Sequence, residues 1–267
     1  MKDKRKSQVA SRRSKAHCKG TVKEILKCGW GIAFCLAMIH VSTAQAQDAS
    51  AILKQVDAFR NPLESFALDV QLTSFRNTQS ETSAFRVYGQ GSDKSLVEFR
   101  SPAAEQGKYL LMLRDAMWMY MPSTSRPIRI SPLQRLMGEA SNGDVARTNY
   151  TVDYVPELAG EEEVEGRSTY VLDLKARDPD LSYSRVKLWV AKRNYQPIKA
   201  DFYVVSGKLM KRAFYRDFGM MNGSRVVTKI EIQDVVRPGH RTVMQYSDLQ
   251  VKKLPEKMFN KNYLGKW

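Results

Sequence analysis

Side chains that could carry out covalent chemistry are scarce in this chain of 267 residues. The three cysteines, Cys18, Cys28 and Cys35, all come before position 46, and beyond that position the only histidine is His240. Thiolate nucleophiles, histidine-assisted nucleophiles and two-histidine metal sites are therefore hard to build in the rest of the chain. His240 itself lies in the sequence Arg-Pro-Gly-His-Arg, which is typical of a turn. These features indicate a protein that is not an enzyme and that holds no metal or other cofactor.

The acidic clusters are no better suited to binding a metal. Glu161, Glu162 and Glu163 stand between two strand-like runs, and no histidine lies beside them. Asp178 and Asp180 flank a proline but lack the ligand-rich spacing of a calcium loop. Both clusters are therefore predicted to be solvent-exposed turns.

The chemistry that remains is the binding of apolar groups, and residues 109–148 are the strongest candidate for it. Two apolar runs, 109–113 and 116–121, are separated by Arg114 and Asp115, which predicts a hairpin. Methionine is unbranched and polarisable, so it packs against irregular or changing apolar partners. The methionines of this stretch are Met112, Met117, Met119, Met121 and Met137. They either fill a core or line an adaptable cavity, and the second run could point either its methionine face or its aromatic face inward.

A loop and a predicted helix complete this stretch. Residues 122–127 cannot continue a strand, because two of them are prolines without a backbone N–H. Ser131 followed by Pro132 is a typical helix start, and Gly138 is a typical end. We expect residues 131–137 to form a short amphipathic helix that covers the apolar sheet as a lid. The candidate cavity and lid residues are Leu111, Met117, Met119, Leu133, Leu136, Met137 and Phe202.

Arginines near the predicted lid suggest a second part of the binding site. A guanidinium group binds a phosphate through two parallel hydrogen bonds, so two or more at the rim of a cavity could hold a lipid head group. The alternative is that these arginines are solvated or paired with Glu139 and Asp144. The candidate head-group residues are Arg126, Arg129 and Arg135, with Arg147 nearby.

Residues 1–46 have the order of a secretory signal peptide. A basic region precedes an apolar run at 28–41, and Ala44-Gln45-Ala46 offers small residues for cleavage. The apolar run is shorter than the roughly 20 residues of a membrane span, although an uncleaved anchor is the alternative. We therefore expect an exported, periplasmic protein that is cleaved near Ala46 and has a single domain at 47–267.

The net charge of +15 is shared between this leading segment and the domain. No zinc finger, basic recognition helix or RNA-binding aromatic signature accompanies it, so nucleic acid is not an expected partner. A positive balance outside the cytoplasmic membrane fits transient contact with anionic membrane surfaces or with acidic partners.

The domain begins with one predicted helix and continues almost entirely as strands. Ile52, Leu53 and Val56 share one helical face in the segment 48–60. From Phe66 onward, apolar and polar residues alternate, which predicts strands with one buried face. We expect about ten or eleven antiparallel strands in meander order, in a strongly curved sheet.

Several short sequences are shared with a known family. They are MPST at 121–124, RI at 129–130, QRLMG at 134–138, SNGD at 141–144 and LWV at 188–190. With them the domain resembles the outer-membrane lipoprotein-sorting (LolA-like) family of exported proteins. The resemblance implies a mainly β fold, namely an incomplete, unclosed antiparallel β-barrel with helices over its open mouth. It also implies a hydrophobic cavity that accepts acyl chains.

The function that this resemblance implies is that of a periplasmic carrier without covalent chemistry. It would bind the acyl chains of a lipoprotein or lipid and move them toward the outer membrane, between an inner-membrane transporter and an outer-membrane acceptor. The predicted lid would fill the empty cavity, so that lid and cargo compete. The alternative is a non-catalytic adaptor or chaperone subunit of an inner-membrane exporter, which grips a protein segment through its sheet edge.

Overall fold

The structure, a computed structural model, describes residues 48–61, 64–114, 116–124, 126–146, 149–179 and 181–266. The predicted signal peptide, its cleavage near Ala46, and Arg147 lie outside these residues. Within the described ranges, no helix has the length and apolar composition that crossing a membrane requires.

An antiparallel sheet of 13 strands forms most of the described part of the chain. In chain order the elements are α1 (Ala49–Arg60), β1 (Ser65–Arg76), β2 (Gln79–Gln90), β3 (Lys94–Ser101), β4 (Tyr109–Leu113), β5 (Ala116–Tyr120), β6 (Ile128–Ile130), β7 (Arg135–Met137), β8 (Ala140–Ser141), α2 (Asn142–Ala146), α3 (Tyr150–Asp153), β9 (Tyr154–Val164), β10 (Arg167–Ala176), β11 (Arg185–Ala191), β12 (Pro197–Tyr203), β13 (Leu209–Met221), β14 (Ser224–Asp234) and β15 (His240–Val251). Strands that follow each other in sequence lie side by side in the large sheet, except that β1 pairs with β15. β6 and β9 are the two edges, so the sheet is not closed into a barrel. The expected mainly β fold with an unclosed antiparallel sheet is confirmed.

The sheet has more strands than the ten or eleven that we expected. β6, for example, has 3 residues, which is too short to show an alternating pattern. The expected turn at Glu161, Glu162 and Glu163 is wrong, because these residues lie within β9. The chain turns instead at Glu165 and Gly166, which both have positive φ angles. β9 is an edge strand that is open to water on one side, so it tolerates a run of carboxylates.

The predicted lid helix is also wrong. Residues 131–137 form a single turn and then β7, which pairs with β8 in a separate two-stranded hairpin. The local signal for a helix start is present, because the N–H of Leu133 donates to Ser131 Oγ at 3.2 Å. The chain nevertheless leaves the helical path, since the N–H of Gly143 takes the carbonyl of Pro132 as its acceptor at 2.9 Å. Backbone pairing with residues further along the chain replaces the second helical turn.

Gly138 allows the β7–β8 hairpin to pack closely against the large sheet. Its φ angle is +54°, and a methyl group on it would lie 2.3 Å from Thr242 Oγ1 and 2.4 Å from Ser74 Oγ. We expect Gly138→Ala to lower the free energy of unfolding by about 2–4 kcal/mol, because backbone strain and steric overlap add. Gly223→Ala is the matched control, since Gly223 has a φ of +75° and nothing within 4 Å of an added methyl group. Equal losses for the two variants in urea unfolding would show that close contact at Gly138 is unimportant.

Helix α1 packs against one face of the sheet, which we call the inner face. Its apolar residues Ile52, Leu53 and Val56 are buried in the main hydrophobic core. Asp48 caps the N-terminus of the helix by accepting a 2.9 Å hydrogen bond from the N–H of Ser50. The helix contacts both the edge strand β9 and β14, which lies well inside the sheet, so the sheet curves around it.

The C-terminal segment covers part of the opposite face, which we call the outer face. A smaller apolar core forms there between this segment and strands β3 and β4. Its buried members are Leu96, Leu111, Leu254, Phe259 and Leu264. The sheet is therefore covered on both faces at this end, and its main core lies on the inner face.

Candidate functional site

Two apolar cavities lie on the inner face of the sheet. Their volumes are about 60 Å³ and about 40 Å³. Arg60, Asp144 and Ile230 line both, so the cavities are neighbours that these side chains separate. For comparison, an engineered apolar cavity of roughly 150 Å³ binds one benzene molecule. An acyl chain can therefore bind here only if side chains or a whole element move aside.

The linings of the two cavities differ in the side chains that they contain. The first is bordered by hydroxyl-bearing and charged residues as well as apolar ones, among them Tyr150, Ser182, Tyr183, Phe202, Lys211 and Tyr215. Apolar side chains make up more of the second, with Phe66, Leu68, Val87, Val226, Val227 and Leu249 in its wall, although Arg60, Asn61 and Asp144 also border it. A ligand with one polar end and one apolar end would match this division.

A buried ion pair joins helix α2 to strand β13 beside the first cavity. Lys211 on β13 pairs with Asp144 on α2, and the two side chains are only 5% and 10% exposed. Asp144 also accepts hydrogen bonds from the N–H of Ser141 at 2.8 Å and from Tyr183 Oη at 3.2 Å. Burial lowers the pKa of Lys211, because the charged ammonium loses its hydration. The carboxylate of Asp144 is thus fully used inside the protein.

Asp57 fastens helix α1 to helix α3. Its carboxylate accepts hydrogen bonds from the N–H of Tyr150 at 2.8 Å and from the N–H of Thr151 at 2.7 Å. The hydroxyl of Thr151 donates to the same carboxylate. Backbone N–H groups at a helix N-terminus have no partner within the helix, so Asp57 supplies the acceptors that α3 lacks. The carboxylate oxygens of Asp57, like those of Asp144, therefore already accept hydrogen bonds within the protein.

Arg60 ends helix α1 at the junction of the two cavities. Its guanidinium lies over the ring of Tyr150, 4.0 Å from the ring centre. Tyr150 in turn shares a 2.8 Å hydrogen bond with the hydroxyl of Tyr215, and burial raises the pKa of Tyr150. Among the residues described by the structure, none forms a hydrogen bond or an ion pair with the guanidinium of Arg60. This cation contacts a ring face and leaves its N–H donors unused.

The sheet parts between β14 and β15 next to the second cavity. The two strands pair only as far as Lys229 and Gln245, although β14 starts at Ser224 and β15 continues to Val251. An open groove of about 760 Å³ lies at this gap, and Tyr246 borders both the groove and the second cavity. The backbone ladder therefore leaves the wall of the second cavity unsealed at this point.

The structure brings five of the seven predicted apolar residues to the inner face. Met117, Met137 and Phe202 are buried in the main core, and Met119 and Leu136 pack against it. Phe202 lines the first cavity. The methionine face of β5 therefore points inward, and its aromatic face packs in the outer core.

Leu111 and Leu133 do not lie where we expected. Leu110 and Met112 point into the main core, so the alternation of a strand places Leu111 on the outer face. Leu133 lies in the turn before β7 and is 39% exposed. Neither residue is part of the inner face.

The candidate head-group arginines lie outside the two cavities. Arg126, Arg129 and Arg135 are exposed, and Arg129 lies on the edge strand β6. The two acids once considered as their partners are engaged elsewhere, since Glu139 pairs with Arg237 and Asp144 with Lys211. These arginines are thus on the exposed surface, and the charged groups of the interior are different residues.

Sequence patterns could have revealed part of this interior charge. Lys211 alternates with Ala213 and Tyr215, both buried, so its position in the strand pattern points inward. Arg60 and Asp57 carry no comparable signal, because polar residues are usual at the end of a surface helix. Only the contact between α1 and α3 shows what they do.

Comparisons with known proteins agree on one fold. A family model described as an uncharacterized protein family matches residues 91–266. A LolA superfamily protein from Nitrosomonas europaea is 38% identical, over 81% of this chain and 99% of that one, with a TM-score of 0.76. A DUF1329 family protein from Desulfovibrio piger is 27% identical, over 81% and 96%, with a TM-score of 0.69. An outer membrane lipoprotein-sorting protein domain from Vibrio parahaemolyticus shares the fold at 22% identity, over 81% and 98%, with a TM-score of 0.69. No curated protein matches the sequence.

Proposed function

Because this chain belongs to the LolA superfamily, we propose that it is a non-catalytic periplasmic carrier that binds the acyl chains of a lipid or lipoprotein. The observation that supports this most is the second cavity, whose apolar wall the sheet leaves unsealed between β14 and β15. An apolar chain could pass there without breaking a backbone ladder. In this proposal the cargo moves toward the outer membrane, from an inner-membrane transporter to an outer-membrane acceptor.

The energetics favour cargo binding only if the interior opens. Burying an acyl chain yields about 0.8 kcal/mol per methylene, so a chain of roughly fourteen carbons contributes on the order of 10 kcal/mol before ordering costs. The two cavities hold about 60 Å³ and about 40 Å³, so the chain must displace inner-face side chains. The displaced side chains therefore compete with the cargo for the inner face. Their return to the core assists release of the cargo.

Lipid extraction tests the proposed function directly. The protein should be purified from the periplasm of a Gram-negative host, extracted with organic solvent, and examined by mass spectrometry. We expect co-purified lipid, and we expect the delipidated protein to take up an acyl probe from vesicles. A clean extract together with no uptake would instead favour the adaptor function. That alternative has its own support, because the edge strand β9 exposes Val155 and Leu158 at 42% and 40%.

The β7–β8 hairpin is the element that we expect to compete with cargo. Met137 is buried in the main core and Leu136 packs against it. Replacing both with serine removes apolar contacts worth about 1.5–3 kcal/mol per buried side chain, so cargo should leave about tenfold more slowly or slower still. Stopped-flow transfer of an acyl probe to acceptor vesicles measures this rate. Leu133→Ser is the control, because Leu133 is exposed. Identical release from the double variant and the control would exclude the hairpin as the competitor.

The exposed arginines have a separate role in this proposal. Arg126, Arg129 and Arg135 lie at and near the edge strand β6. Arginines on a surface attract the negative surface of a membrane over about one Debye length. We propose that they support transient docking on the membrane, while the cargo occupies the inner face.

A further inference from the structure

We propose that the cargo carries an acidic oxygen group, a carboxylate or a phosphate, which Arg60 binds in the first cavity while the acyl chain extends through the second cavity toward the gap between β14 and β15. This inference rests on the proposed carrier function and narrows its ligand class. It rests on three observations about Arg60, Ser182 and the interior carboxylates.

The first observation is the unused donors of Arg60. This side chain lines both cavities, and its guanidinium contacts the ring of Tyr150 without a hydrogen bond or ion pair to any residue that the structure describes. A guanidinium presents five N–H donors in a planar fork that matches a carboxylate or phosphate. A partly buried cation with free donors at a cavity wall is the arrangement that an anionic ligand completes.

The second observation is that Asp57, Asp144 and Asp153, the acids next to the first cavity, already have partners and are not free to take those donors. Asp57 accepts from the N–H groups of Tyr150 and Thr151. Asp144 accepts from Lys211, Ser141 and Tyr183. Both acids therefore have full sets of partners. The ion pair with Lys211 also offsets the negative charge of Asp144 beside the cavities.

The third observation is an unpaired hydroxyl in the same cavity. Ser182 lines the first cavity, its side chain is buried, and its Oγ has no hydrogen-bond partner among the residues that the structure describes. Buried hydroxyl groups are normally satisfied, so an unpaired one at a cavity wall points to a missing partner. An acidic oxygen between Arg60 and Ser182 would satisfy both.

The division between the cavities sets the direction of the ligand. The first cavity of about 60 Å³ has room for a small polar group, and it holds the unpaired donors. The second has mainly apolar side chains in its wall and borders the gap at Tyr246. The acidic group thus lies in the first cavity, and the far end of the chain lies at the gap between β14 and β15. The first cavity of about 60 Å³ has no room for a bulky head group, so the structure assigns a single-chain amphiphile with a small acidic end.

Displacement of the neutral dye Nile red by chain-matched ligands tests this inference. Myristate, myristyl phosphate and myristyl alcohol share one chain and differ in charge, and inorganic phosphate has the charge without the chain. For the wild-type protein we expect the two acids to bind about tenfold to a hundredfold more tightly than the alcohol, since a hydrogen bond to an ionised group has this strength. Arg60→Gln should abolish the preference, so that the two acids bind no more tightly than the alcohol. Arg60→Lys should retain part of it, because the charge stays and the fork is lost.

The control is Lys54→Gln, which removes a cation from the exposed side of the same helix. It should leave all affinities unchanged.

A preference for acids that survives in Arg60→Gln overturns the inference, and so does equal binding of acids and alcohol by the wild type. If Arg60→Gln does not fold, Arg60→Lys is compared with the wild type instead, and a preference for acids that is as large as in the wild type overturns the inference. Displacement by inorganic phosphate alone, as strong as by the chain-bearing acids, would also overturn it in favour of a free-anion site. If none of the chain-bearing compounds displaces the dye from any variant, the carrier function itself fails.

Discussion

Replacing Asp144 with asparagine will lower the free energy of unfolding by about 3–5 kcal/mol, because it leaves the ammonium of Lys211 buried without a counter-charge. Lys211 is 4% exposed, so water cannot take the place of the lost carboxylate. The asparagine also accepts less strongly from Ser141 and Tyr183, which now donate to Asp144. Urea unfolding followed by circular dichroism measures the loss.

A double-mutant cycle separates the ion pair from its surroundings. Lys211→Met removes the buried cation, so the variant that carries both Asp144→Asn and Lys211→Met should recover most of the stability that Asp144→Asn loses. The control for the change from carboxylate to amide is Glu157→Gln. Glu157 pairs with Lys175 on the surface, where both side chains are 57% exposed, and we expect little measurable loss there. The buried pair would be unimportant if Asp144→Asn and Glu157→Gln behaved alike.

The same ion pair predicts how stability depends on pH. Desolvation lowers the pKa of Lys211 in the folded protein below its ordinary value of 10.5. At pH values between the lowered pKa of the folded protein and the ordinary pKa of 10.5, Lys211 is protonated mainly in the unfolded chain. The free energy of unfolding should therefore rise with pH across this range. In Lys211→Met this contribution to the rise should disappear. Burying the charge of Lys211 therefore lowers the free energy of unfolding. Replacing both Lys211 and Asp144 with uncharged residues need not destabilise the protein.

Asp57→Ala should lower the free energy of unfolding by about 2–4 kcal/mol. The carboxylate accepts from the N–H groups of Tyr150 and Thr151, and its removal leaves buried donors unsatisfied at about 1–3 kcal/mol each. The matched control is Asp48→Ala on the same helix. Asp48 is an exposed N-cap, for which a loss of about 0.5–2 kcal/mol is usual.

Hydrogen exchange gives a second measurement for Asp57. The amides of Tyr150 and Thr151 should exchange faster in Asp57→Ala than in Asp48→Ala, since only the first substitution releases α3 from α1. Equal exchange in the two variants would mean that other contacts hold these helices together. The result also bears on the carrier, because α1 and α3 border the first cavity through Arg60 and Tyr150.

The binding site was harder to predict than the fold. The predicted cavity residues were chosen because they are apolar, and five of the seven reach the inner face. Leu111 was misplaced, since every residue of β4 is apolar and its pattern does not distinguish the two covered faces. The interior charges were missed for a related reason. A carboxylate such as Asp57 is recognised as structural only when the N–H groups that it accepts from are known, and those belong to residues 93 and 94 positions further along the chain.

Alternation of apolar and polar residues was enough to predict a mainly β architecture of antiparallel strands with one leading helix, because burying one face of a strand is a local property of its sequence. The scarcity of histidine and cysteine favours binding over covalent chemistry, and this stays a prediction. The fate of residues 131–137, by contrast, depended on partners distant in the chain. Their serine and proline start a helical turn, yet the carbonyl of Pro132 binds the N–H of Gly143, and β7 pairs with β8. Local preferences of a few tenths of a kcal/mol per residue yield to such contacts, and these contacts exist only once the chain has folded.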